Sequence, residues 1–120
     1  MKFLSTFKIT KGFDTWLKMY KEIEPDLNEL GIKILWAGTN SDETKVFDIT
    51  EVKDPSKFEI LVKREDITKK RADAGVELES QEVIETISKE YRALDYAFSG
   101  SKQVWRKLQK RLMNYLMYFF

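Results

Sequence analysis

The chain has 120 residues, the size of one domain able to form its own core; 42% are hydrophobic, 34% are charged, and the net charge is only +1. It contains neither cysteine nor histidine. Those two gaps exclude disulfides, thiolate nucleophiles, thiolate-bound zinc or iron–sulfur clusters, imidazole bases, the Ser-His-Asp triad and histidine-ligated haem, leaving carboxylates, lysine and tyrosine for acid–base work and all-oxygen sites for metals.

Residues 2–10, KFLSTFKIT, alternate between two sides, Phe3, Ser5, Phe7 and Ile9 on one and Leu4, Thr6 and Lys8 on the other, which predicts a strand. Lys8 falls where the apolar centre of a secretory leader would continue, so the opening reads as a strand and the expected compartment is the cytoplasm. Next, Phe13, Trp16, Leu17, Tyr20 and Ile23 follow helical spacing. Pro25 is expected to end or kink that helix near Ile23 or Glu24, with Leu27 and Leu30 adding a last turn before Gly31.

Ile32–Ala37 and Lys45–Val52 flank GTNSDET and predict a β-hairpin. With Thr39–Thr44 as the loop, Trp36 pairs with Phe47 and Ile34 with Ile49, making an apolar face for the helices. Leu35, Ala37, Val46, Asp48 and Thr50 then form a mixed second face. Asp54 and Pro55 signal a helix start. Phe58, Leu61 and Val62 make a short stripe, Asp66 restarts a helix through Ile67, Arg71 and Ala74, and Gly75 ends it. Residues 80–88, SQEVIETIS, predict a fourth strand, with Glu85 expected away from the helices because a lone carboxylate is costly to bury.

The order βαββαβ plus a C-terminal helix is the split βαβ, or ferredoxin-like, pattern of the α+β class. Residues 1–98 form the expected ferredoxin-like domain, and 99–120 an amphipathic helix packing on that domain or on a partner subunit. The mixed second face, with Leu4 and Thr6 added from the first strand, is not built for water. Two such sheets stacked face to face would cover it, which predicts a homodimer closing a shared barrel. Cover from the chain's own C-terminal helix is the alternative.

The stretches TFKITKGFDTWLKMY, ELGIKILWAGTNSDETKVFDITEV, DPSKFEI and ADAGVELES resemble small uncharacterised proteins of marine bacteria and cyanobacteria that have the dimeric α/β-barrel form of the ferredoxin-like fold. The resemblance covers roughly residues 3–88 and carries no catalytic signature. Its wider superfamily includes cofactor-free monooxygenases, haem-degrading enzymes, stress-responsive barrels and ligand binders, so fold alone transfers no chemistry. The haem-degrading type, as the resemblance implies, depends on a histidine that this chain lacks.

Two groups of residues are candidates for a ligand site. Trp16, Tyr20 and Trp36 would line an aromatic pocket between the first helix and the sheet, or else serve as plain core. Thr6, Lys8, Asp48 and Thr50 would gather on the second face, where Lys8 and Asp48 bind a ligand or form a structural ion pair. The expected function is binding of a small apolar ligand, with no cofactor and no metal. The alternatives are a cofactor-independent monooxygenase-like enzyme and an interaction module.

The last reading rests on the tail. Residues 96–120 hold Lys102, Arg106, Lys107, Lys110 and Arg111 and no acid, a charge of +5 that leaves −4 for residues 1–95. A dimer-stabilising helix with a solvated basic face is the plain reading; an anionic membrane surface or an acidic protein would also suit this face, nucleic acid less so given the near-neutral chain. Tyr115, Leu116, Tyr118, Phe119 and Phe120 are expected to pack on the partner subunit.

Overall fold

The computed structural model describes residues 1–93 and 110–114. The chain divides into two units, Met1–Ser88 and Lys89–Phe120. The first unit runs β1 (Lys2–Ile9), α1 (Phe13–Glu29), β2 (Ile32–Thr39), β3 (Lys45–Val52), a 3-10 turn (Pro55–Lys57), α2 (Phe58–Lys63), α3 (Glu65–Asp73) and β4 (Val76–Ile87). The strands form one four-stranded sheet in the order β2-β3-β1-β4, each neighbouring pair antiparallel. This is an α+β architecture compatible with the ferredoxin-like fold.

α1 starts after Gly12, which has no side chain to cap it. Glu43 supplies the missing acceptor from the hairpin loop, its Oε1 receiving the Phe13 N–H at 2.9 Å. A carboxylate there also meets the positive end of the helix dipole. Pro25 does not end α1, which runs on through it to Glu29. Trp16, Met19, Tyr20, Ile23 and Leu27 are all buried, so the stripe continues on both sides of the proline. Each such side chain contributes about 1.5–3 kcal/mol on burial, which together outweigh the roughly 3 kcal/mol cost of an interior proline. The helix ends at Leu30, and Gly31 follows at φ +72°.

Asp54 caps the next segment as expected, accepting the Ser56 N–H at 3.1 Å, but Pro55 opens a 3-10 turn. The α2–α3 corner turns at Arg64, whose guanidinium donates to Asp66 at 2.7 and 2.9 Å and reaches Asp26 of α1 at 3.4 Å. The bonds to Arg64 hold the Asp66 carboxyl down at about 2. Gly75 takes φ +92°, and a Cβ there would lie 2.9 Å from the Lys11 backbone nitrogen, so this turn requires glycine. The turn lets β4 begin at Val76, four residues before the predicted start, paired with Ile9.

The hairpin differs most from expectation. Trp36 opposes Ile49 and Gly38 opposes Phe47, with an irregularity between Ile34 and Trp36. Val46, Asp48, Thr50 and Val52 are the buried residues of β3, while Phe47, Ile49 and Glu51 point to the other face. The predicted parity of β3 is therefore reversed. The reason lies in β1, where Phe3 and Phe7 stand beside Thr50 and Val46, and Ser5 stands beside Asp48. Two phenylalanines already fill the layer under α1, and the smaller β3 side chains fit next to them; Phe47 and Ile49 there would overpack it.

The core joins Phe3, Phe7, Ile9, Trp16, Ile23 and Ile67 with their apolar neighbours. In the second unit Arg92 pairs with Glu90 at 2.8 Å, and residues 110–114 are helical with Lys110 and Arg111 exposed. Lys102, Arg106, Lys107 and the aromatic end from Tyr115 onward lie outside the described residues. Among the described residues no helix is long and apolar enough to cross a membrane.

Candidate functional site

Between the sheet and the helices lies a chamber of about 420 Å³. Its size falls in the usual range for small-molecule sites. Trp16 and Tyr20 form one wall, stacked with ring centroids 5.5 Å apart and an interplanar angle of 16°. Phe7 meets Trp16 at 5.7 Å. Phe58 and Leu61 of α2 and Ile67 of α3 also line it. The walls are thus largely apolar because the stripes of three helical segments converge there.

The floor is polar. Asp48 is 3% exposed, and its Oδ1 accepts from Ser5 Oγ at 2.7 Å and Thr50 Oγ1 at 2.6 Å. Its Oδ2 receives no hydrogen bond among the described residues. None of their fully buried side-chain oxygens lacks a partner, so Oδ2 reaches the chamber. Burial raises the Asp48 carboxyl above its ordinary range, against the pull of the Thr50 and Ser5 hydroxyls and the Arg71 charge. Arg71 enters from α3, half-buried, with its guanidinium 5.8 Å from the Phe7 ring centroid and bonded to Gln81 Oε1 at 2.7 Å. Burial lowers the Arg71 guanidinium, and Asp48 opposes that shift.

Tyr20 adds a phenol. Its oxygen accepts the Ile34 N–H at 3.3 Å, and burial raises its pKa, with Glu24 and Asp48 adding to the shift. The arrangement offers an apolar box with one buried carboxylate, one guanidinium and one phenol. It can hold a mostly apolar molecule by its body and orient it by a polar end. Among the described residues no group of three or more acidic side chains comes together to hold a metal ion.

The sheet divides the residues singled out from sequence. Trp16, Tyr20, Asp48 and Thr50 meet in the chamber. Trp36, Thr6 and Lys8 do not. Trp36 is 54% exposed on the far face, its ring so close over Gly38 that a Cβ there would sit 2.8 Å from it. Thr6 is buried on the far face and donates to the Val46 carbonyl at 2.9 Å, and Lys8 is exposed. The expected grouping of Asp48 with Lys8 and Thr6 is therefore corrected, because the reversed parity of β3 carries Asp48 under the helices to Ser5. Ser5 and Arg71 are the additions. Each had a signal, as the only polar residue in Phe3/Ser5/Phe7/Ile9 and the charged member of Ile67/Arg71/Ala74.

Compared with known proteins, the chain matches no family model and no curated protein.

Proposed function

We propose that this protein binds a small, mostly apolar ligand in the chamber between α1, α2–α3 and the sheet, and that it works as a homodimer of the dimeric α/β-barrel type. The observation that carries the ligand reading is the 420 Å³ aromatic-walled chamber lined by the buried Asp48 carboxylate. An ordinary core at this position would be closed by side chains, since protein interiors pack with few voids larger than a water molecule. Trp16 and Tyr20 act as the wall, and Asp48 acts as the polar anchor. Native mass spectrometry of the purified chain tests this directly. A co-purifying apolar molecule, displaced when Trp16 is replaced by Ala, is the expected outcome; a ligand-free chain that takes up no aromatic or aliphatic probe sinks the reading.

The dimer reading is supported by the far face, where Leu4, Trp36, Phe47 and Ile49 bring apolar surface together on three adjacent strands. The strand order and the resemblance noted from sequence support placing the chain with the dimeric α/β barrels.

A second reading is favoured by one feature. Asp48 combines burial, a raised pKa and access to the chamber, the properties of a general base. With Tyr20 nearby, the site would suit a cofactor-independent oxygenation in which the substrate supplies its own electrons. Oxygen uptake with quinol substrates, lost on Asp48→Asn, tests it; no uptake across a broad quinol panel excludes it.

A further inference from the structure

Of the described residues lining the chamber, only Asp48 and Arg71 carry a formal charge, and the two are opposite. They are not consumed by each other. Asp48 Oδ1 is taken by Ser5 and Thr50, which leaves Oδ2 over, and Arg71 donates to the neutral Gln81. A guanidinium has five N–H donors, so one bond to Gln81 leaves others for a ligand.

An amine entering this space would gain from Asp48 and be repelled by Arg71. A carboxylate would gain from Arg71 and be repelled by Asp48. Both repulsions act in a largely apolar, half-open cleft, where screening is weaker than in bulk water. A hydroxyl suffers neither, because it donates to Oδ2 while its oxygen lone pairs face the guanidinium. We infer that the chamber selects neutral, hydroxyl-bearing aromatic or aliphatic compounds over acids, amines and plain hydrocarbons of the same shape. This deepens the ligand-binding reading and rests on it.

Four probes with one bicyclic body separate the possibilities: naphthalene, 1-naphthol, 1-naphthoate and 1-naphthylmethylammonium. Equilibrium dialysis near neutral pH should find 1-naphthol bound about tenfold more tightly than naphthalene, as expected for one hydrogen bond to a charged acceptor, and more tightly than either ion. Asp48→Asn should shrink the naphthol advantage and strengthen 1-naphthoate. Arg71→Gln should strengthen 1-naphthylmethylammonium, and this variant carries the test if Asp48→Asn does not fold. Naphthalene binding as tightly as 1-naphthol, or either ion binding tightest to the unaltered chain, overturns the inference while leaving the ligand reading standing. Failure of all four to bind, together with a purified chain that carries no ligand and takes up no aliphatic probe, removes the ligand reading itself.

Discussion

Asp48 sits on the buried face of β3, between Val46 and Thr50 with Val52 beyond, where hydrophobic pattern alone would favour an apolar residue. Two hydroxyls make that position tolerable, and the chamber accounts for the oxygen they leave over. The cost of keeping the charge there is readable as a pH dependence. The folded carboxyl titrates above the ordinary 3.8, so across that interval the native chain holds more protons than the unfolded one. Stability from this group is therefore full at acid pH and lost as pH rises through the folded-state value. Asp48→Asn keeps an acceptor for Ser5 and Thr50 but removes the titration. Urea denaturation between about pH 3 and 8 should show the unaltered chain losing ground to the Asn variant as pH rises. Parallel stability profiles for the two proteins would contradict the buried-charge account. Arg64 and Asp66 show the opposite sign of effect, since their contact favours the ionised carboxyl.

At the scale of elements, α3 is held to the sheet by one fully buried residue, Ile67, at 3% exposure. Ile67→Ala should cost about 2–5 kcal/mol in urea denaturation, the range for a buried Ile cut back to Ala, and a cost near zero would mean that α3 is anchored elsewhere. The elements themselves were largely legible. The alternation of Phe3, Ser5, Phe7 and Ile9, the α1 stripe, the capping Asp54 and the stop at Gly75 each state a local rule that the fold obeys. Two features were not legible, for different reasons. Pro25 obeys a local rule that burial overrides. The parity of β3 has no local rule, because Val46/Asp48/Thr50/Val52 and Phe47/Ile49/Glu51 are comparably mixed sets, and a strand neighbour distant in sequence decides between them. That one ambiguity is why the sequence pattern puts Asp48 on the wrong side and marks the chamber only by its tryptophan and tyrosine wall.

At the scale of the whole molecule, the proposed dimer makes the far face an interface. Stable interfaces bury roughly 1,200–2,000 Å² in total, within reach of two stacked four-stranded sheets. Sedimentation velocity at micromolar concentration should give a dimer for the unaltered chain and a monomer for Phe47→Asp, which places a charge at the centre of that face. A monodisperse monomer for the unaltered chain removes the shared-barrel reading and leaves the chamber, which lies within one protomer, untouched.

β4 closes the sheet on one side among the described residues, and it is long, from Val76 to Ile87. Such a border offers unpaired amides and carbonyls to any passing strand. Here it carries Glu77, Glu79, Glu82 and Glu85 with no compensating lysine or arginine, and its pairing to β1 shifts twice. Repulsion between like-charged borders and a broken template together discourage chains from adding to one another as a growing ribbon. That protection is electrostatic, so it weakens in concentrated salt, where the repulsion between the two borders is screened.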